Sequence, residues 1–285
     1  MNKLKSLNVV RNILIGISAV LIGYSIFIHY FPQYALTHRE IQFTEAVSND
    51  IGKQKQICGV VVTYKAGISS IRSVMNIKER FSFGEIKFYS GNIGSCDVVV
   101  ALCEDGKINA TMAATTLLTK FNAINLVLIN TGTSLSKGLK TNSIVVANNI
   151  YQFDCKDMHE KDFGISSING TQVMKIHMDS NERDFVFIKV QEVIENAIIG
   201  NIATGDLKIT TSQDAIKVRH ALNCMVADSE AVAIASVAKN FDKAYSVVTI
   251  ITSNLFSDNF DSDIVERDRN VGKMLNSIFK DRVIE

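Results

Sequence analysis

The sequence predicts an α/β fold with a largely parallel sheet, preceded by an N-terminal transmembrane helix. Three observations predict it. Continuous β-branched runs, such as ICGVVVTY at residues 57–64, read as strands buried on both faces. Such runs alternate with segments of helical period, which is the order of an α/β domain. Residues 13–31 form a 19-residue stretch without Asp, Glu, Lys or Arg, and about 20 apolar residues span a bilayer.

Lys3, Lys5 and Arg11 precede that stretch. A basic flank stays in the cytoplasm, which puts the C-terminal bulk outside it. A cleaved signal peptide is a rival reading, but Tyr34-Ala35-Leu36-Thr37 is a poor small-residue cleavage site, and no Cys lies nearby for lipidation. A buried core helix is a third, against which stands a composition apolar on every face. Residues 1–35 are therefore expected to be a membrane anchor. Residues 36–55, polar and without period, read as a linker, and residues 56–285 as the folded domain.

After the strand at 57–64, residues 68–81 have helical spacing. Residues 82–103 read as strands broken by Gly84, Gly91 and Gly94 and ending in Val98-Val99-Val100. Residues 107–121 read as a helix rich in small residues, and 126–129 as a buried strand running into Asn130-Thr131-Gly132-Thr133. A strand is expected at 143–147, and helices at 185–199, 213–221 and 231–241. Residues 245–252 read as the last strand. Ile264, Val271, Leu275, Ile278 and Phe279 give the final helix one apolar face.

Composition narrows the function. The 30 basic residues nearly cancel the 29 acidic ones, which argues against a nucleic-acid or polybasic membrane surface. A single Pro and 47% hydrophobic residues argue against disorder over most of the length. Cys58, Cys96, Cys103, Cys155 and Cys224 include no metal spacing. Cys58 and Cys103 read as buried free thiols. The five histidines form no metal spacing either, so neither metal nor cofactor is expected.

Five motifs occur in order: Gly106-Lys107-Ile108-Asn109-Ala110-Thr111-Met112, Ile129-Asn130-Thr131-Gly132-Thr133, Ala203-Thr204-Gly205-Asp206, Lys217-Val218-Arg219-His220, and Asp228-Ser229-Glu230-Ala231. Together they resemble the purine nucleoside phosphorylase superfamily over residues 56–280. The nearest branch is the bacterial methylthioadenosine/S-adenosylhomocysteine nucleosidases. Glu266-Arg267 is similar to the hexameric phosphorylases instead. The resemblance implies a three-layer α/β/α domain around a mixed, largely parallel twisted sheet. It also implies a homodimer or larger ring, and a purine nucleoside or other small polyol as ligand.

The family's chemistry needs two acidic groups, one to activate water and one to protonate the departing purine. The base belongs to the loop after the first strand. That loop here is Val62-Thr63-Tyr64-Lys65-Ala66-Gly67-Ile68, with Gly67 nearest the base position, and no Asp or Glu occurs between Asp50 and Glu79. The acid belongs to an Ile-Ser-Asp run, for which this chain offers Ile251-Thr252-Ser253-Asn254, with Ser253 at the acid's place. Asn254 offers a hydrogen bond but no useful proton. The stacking aromatic of the family is matched by Lys208, before Ile209, and the Met under the ribose by Ser229.

Glu230 stands where the family's ribose-binding Glu stands. Its carboxylate suits a diol, although a first-turn carboxylate on a helix dipole is a competing reading. Asn130, Thr131 and Gly132, at a strand end, are placed to shape a pocket floor, although a Gly there often serves only a tight turn. The resemblance thus implies a membrane-anchored nucleosidase-like protein that has lost hydrolysis and keeps a ligand pocket. The alternative is a working N-ribohydrolase on methylthioadenosine, S-adenosylhomocysteine or a related nucleoside.

Overall fold

The computed structural model describes residues 56–63, 67–154, 175–257 and 264–282. The expected membrane span at 13–31, the linker at 36–55 and the loop residues Tyr64, Lys65 and Ala66 lie outside the described residues. No helix among the described residues is long and apolar enough to cross a membrane.

Strand β1 (Ile57–Val62) is the β-branched run that opens the domain. Its Cys58, Val60 and Val62 enter one hydrophobic core and Val61 the other. This two-sided burial is why the run is continuous rather than alternating. It pairs in parallel with β4 (Cys96–Leu102) on one side and β5 (Ala123–Ser134) on the other. The same division recurs in β5, where Leu126 and Leu128 face one core and Val127 and Ile129 the other. Helices α2 (Lys107–Lys120) and α5 (Ala231–Asn240) cover the first core with Ala110, Ala113, Ala114, Ala231 and Ala235. Helices α1 (Gly67–Val74), α3 (Ser180–Gln191) and α6 (Ile264–Phe279) cover the second. Of the apolar face expected of α6, Val271, Leu275, Ile278 and Phe279 are fully buried with Met274, each burial contributing about 1.5–3 kcal/mol, whereas Ile264, at the helix start, is exposed.

Beyond β5 the sheet turns back on itself. Strand β10 (Ala244–Asn254) pairs in parallel with β5 and antiparallel with β6 (Ile144–Gln152). Strand β6 pairs in parallel with β8 (Ala197–Thr204), β8 with β9 (Val226–Asp228), and β9 returns antiparallel to β5. These five strands close a ring, and β1, β4, β3 (Ile86–Ile93) and β2 (Asn76–Phe83) form a wing beside it. Strand β7 (Lys175–His177) pairs with β6 alone. The α/β class and the mixed sheet are as expected. Largely parallel is not: the strand pairings divide evenly, five of each kind.

Two expected helices are corrected. The helix expected at 68–81 stops at Val74, and Asn76–Phe83 is instead strand β2, hairpin-paired to β3 across Gly84 at φ 60°. Ile77 and Phe81 mimic a helical step of four, but Phe81 and Phe83 alternate and pack edge-on against Phe88 and Phe121, which stack on each other, with centroids 5.4–6.4 Å apart. The helix expected at 185–199 begins earlier, at Ser180, capped by Asp179, which accepts from Glu182 N at 2.9 Å. It ends at Gln191, and its supposed continuation is β8. Ile194, Ala197 and Ile198 continue the 3–4 spacing, so the period hid a strand in the middle of the ring. Strands β7 and β9, three residues each, were too short to show a period. Cys58, Cys96, Cys103 and Cys224 are buried free thiols.

Candidate functional site

The ends of β5, β8, β9 and β10 meet in the ring, with Thr204 beside Asp228 and Ser253 beside Thr133. Asn130 of β5, fully buried, is the hub. Its amide nitrogen donates to Asp228 Oδ2 at 2.7 Å and to Glu230 Oε2 at 2.9 Å. Its oxygen accepts from Thr249 Oγ1 of β10 at 2.7 Å. Asp228 also accepts from Thr204 Oγ1 at 2.5 Å and from Ala231 N, at the start of α5, at 3.0 Å. Glu230 accepts from Gly106 N, just before α2, at 2.7 Å. One buried network thus ties four strands of the ring, β5, β8, β9 and β10, to the starts of two helices.

Two carboxylates share this site, so their titration is coupled. Burial, then the Glu230 charge, push Asp228 up to about 7, against the bonds from Thr204, Asn130 and Ala231. Burial likewise raises Glu230, opposed by its bonds from Asn130 and Gly106. Each of these bonds to a charged acceptor is worth roughly 1.5–3 kcal/mol, which makes the buried pair tolerable.

Above this floor lies a cavity of ≈460 Å³. It is lined by the hydroxyl-bearing residues Thr131, Thr133, Thr210, Ser229, Thr252 and Ser253. Lys208, Ile209, Gly132 and Asp228 also line it. Thr133 Oγ1 and Ser253 Oγ lie 2.9 Å apart and hydrogen bond. Gly132 sits where a Cβ would lie 2.6 Å from Val226 Cγ1 and 2.8 Å from Ala227 O, so the ring closes there only with glycine.

Six of the residues expected at a site converge on this cavity: Thr131, Gly132, Lys208, Ile209, Ser229 and Ser253. Two do not line it. Glu230 is 2% exposed, with both oxygens bonded to protein donors. Asn254 is buried too: its Nδ2 donates to Leu139 O at 2.6 Å and its Oδ1 accepts from Phe256 N at 2.8 Å, so its amide holds the 136–139 loop. Gly67 is the first residue of α1. Asn130, expected with Thr131 and Gly132 at a pocket floor, is the hub of that floor. The residues that sequence reading passed over are Thr204, Asp228 and Thr249. The first two stand inside quoted motifs, and a polar residue at the end of a buried strand was the available signal.

Beside the floor, Lys107 bonds Asp154 at 3.1 Å and Asp206 at 3.0 Å. Burial opposes its charge, yet the bonds to Asp206 and Asp154 hold its pKa above the ordinary lysine value. The Asp of the Thr204-Gly205-Asp206 motif is therefore spent on anchoring α2.

A family model described as the phosphorylase superfamily matches residues 57–281. A 5'-methylthioadenosine/S-adenosylhomocysteine nucleosidase from Staphylococcus aureus (strain JH9) is 26% identical over 199 residues, covering 68% of this chain and 85% of the relative. The native futalosine hydrolase of Helicobacter pylori strain 26695 matches with a TM-score of 0.68 at 19% identity, covering 78% of this chain and 97% of that one. The 5'-methylthioadenosine/S-adenosylhomocysteine nucleosidase of Neisseria meningitidis, solved with methylthio-immucillin-A, matches at 0.67 with 21% identity, covering 79% of this chain and 98% of that one. At these identities the solved structures establish a shared fold.

Proposed function

The chain belongs to the phosphorylase superfamily, and from that membership we propose a membrane-anchored, nucleosidase-like domain that binds a small ligand and has lost purine nucleoside hydrolysis. The cavity lining carries this reading. Asp228 is the one carboxylate among the described residues that line it, and three protein donors already hold it. Set against Ile-Ser-Asp, the run Thr252-Ser253-Asn254 offers Ser253 or Asn254 for the acid, and neither gives up a proton usefully at neutral pH. No Asp or Glu stands between Asp50 and Glu79 to serve as base after β1. Losing a positioned acid and a positioned base costs about 10²–10⁴-fold each.

The test is adenine release from methylthioadenosine by the purified protein, with and without phosphate. The expected rate is at least about 10⁴-fold below that of an intact relative, from those two losses. Release at a relative's rate overturns the reading, and release only with phosphate would indicate phosphorolysis.

A working hydrolase is the second reading, and one observation favours it. Asp228 lines the cavity with a carboxyl pushed up to about 7, where it exchanges protons at neutral pH. In that case hydrolysis is measurable, changes with pH around 7 and vanishes in Asp228→Asn.

The anchor is supported by the uncharged stretch at 13–31 behind Lys3, Lys5 and Arg11. It places the domain outside the cytoplasm and the protein in the membrane fraction. Full-length protein found only in the cytosolic supernatant refutes it. Family resemblance adds a homodimer, which light scattering of the detergent-solubilised chain reads directly.

A further inference from the structure

The cavity differs in chemistry from one made for a purine. No Phe or Tyr is among the described residues that line it, so none of these offers a base an aromatic face. Base–aromatic stacking is worth about 1–3 kcal/mol per base, a gain these residues do not supply. Six hydroxyl-bearing residues line the cavity instead, from four separate elements or loops: Thr131 and Thr133, Thr210, Ser229, Thr252 and Ser253. Hydroxyls both donate and accept, which suits a ligand that is itself covered in hydroxyls. Lys208 lines the same cavity, exposed, and no carboxylate among the described residues pairs with it. The contrast with Lys107 is direct, since Lys107 is held by two carboxylates.

We propose that the cavity takes a small polyhydroxylated anion, a sugar bearing a phosphate or carboxylate, with Lys208 on the anionic group and the hydroxyl lining on the sugar. Resting on the binding-domain reading above, this deepens it by naming the ligand class. Lysine recognises phosphate or carboxylate as a point charge, with charge-assisted hydrogen bonds. The volume of ≈460 Å³ falls in the range of small-molecule sites. Asp228, at the floor, is the acceptor for one sugar hydroxyl. Its three protein donors use both sites on Oδ2 and one on Oδ1, which leaves about one on Oδ1.

The experiment is calorimetric titration of the full chain in detergent with ribose 5-phosphate, ribonate, ribose and adenosine, repeated on Lys208→Met and Lys208→Arg. Binding of one or both anions is expected, with ribose and adenosine each weaker by about 10-fold or more, the size of a lost charge-assisted bond. Ribose 5-phosphate alone identifies a phosphate, and ribonate alone a carboxylate. Lys208→Met should lose that advantage, and Lys208→Arg should keep most of it. Adenosine binding tighter than both anions overturns this inference while leaving the binding-domain reading intact. Undiminished anion binding in Lys208→Met, or no binding by any of the four, overturns it as well. Adenine release from methylthioadenosine in the assay above is a separate failure, that of the non-hydrolytic reading.

Discussion

The floor and the wall of the site have had different fates. The floor is Asn130, Thr204, Asp228, Glu230 and Thr249, all buried and joined by bonds of 2.5–2.9 Å. The wall is Lys208, Ser229, Ser253 and Thr133, which face the cavity. Asn130, Thr204, Asp228 and Glu230 of the floor all stand in motifs that resemble the nucleosidases. Lys208, Ser229 and Ser253, where the resemblance breaks, are wall residues. The floor residues hold the ring of strands together, and removing any one strands a buried charge or amide. The wall residues line the cavity, and the bond between the Thr133 and Ser253 hydroxyls secures no buried charge, so the fold tolerates their exchange. Survival of a motif here reports the scaffold, and the chemistry has to be read from the wall.

Breaking the hub gives the largest effect. Asn130→Ala removes the donor shared by two buried carboxylates, and stability should fall by about 3–5 kcal/mol, as for a broken buried pair. Urea denaturation measures it, with Ser229→Ala in the wall as the control, expected within about 0.5 kcal/mol of wild type. Equal losses in the two variants would erase the distinction between floor and wall.

The second effect is pH dependence. The folded pKa of Asp228 is raised from the ordinary 3.8 to about 7 by burial and by Glu230. Between those values the folded state holds a proton that the unfolded state has released. That contribution is complete below 3.8 and is lost as pH rises to about 7, with a slope of at most about 1.4 kcal/mol per pH unit. Asp228→Asn should flatten this part of the stability profile between pH 4 and 7. A parallel profile in the variant would mean that Asp228 stays ionised in the fold, and that the floor is held by charge.

Gly132→Ala sharpens the comparison from within the ring. Its Cβ would meet Val226 Cγ1 at 2.6 Å and Thr249 Cγ2 at 2.8 Å, and overpacking of this kind costs about 1–3 kcal/mol. Thermal unfolding would register the loss, and an unchanged midpoint would show that β9 shifts freely against β5. The smallest effect is expected in the wall. Ser253→Ala breaks the bond to Thr133 and should cost about 0.5–1.5 kcal/mol at most. A loss above that would make Ser253 part of the floor.

Much of this molecule was legible in sequence because burial writes itself into residue type. The run at 57–62 had to be apolar throughout, since both faces of β1 are covered. The spacing from Val271 to Phe279 had to follow a helix, since one face of α6 meets the core. Six of the eight candidate ligand residues proved to share one cavity, because strand ends and helix starts carry distinctive motifs. Strand β8 was misread because Ile194 to Ile198 keeps a helical spacing while the chain has already turned into the sheet. Local period cannot reveal that a strand has found two partners elsewhere.

The sequence by itself determined the α/β class, the strands β1 and β5 buried on both faces, and the lack of any Asp or Glu between Asp50 and Glu79 and in the run Thr252-Ser253-Asn254. Those are properties of residue identity along the chain. Only the tertiary structure decided that the sheet closes through β10 and β9, that Glu230 and Asn254 turn to protein partners, and that Asp228 shares Asn130 with Glu230. Asn130 and Glu230 are 100 residues apart in the chain. The bond between them exists because hydrophobic burial on both sheet faces brings their strand ends together, and hydrogen bonding must then satisfy whatever polar groups that burial has enclosed.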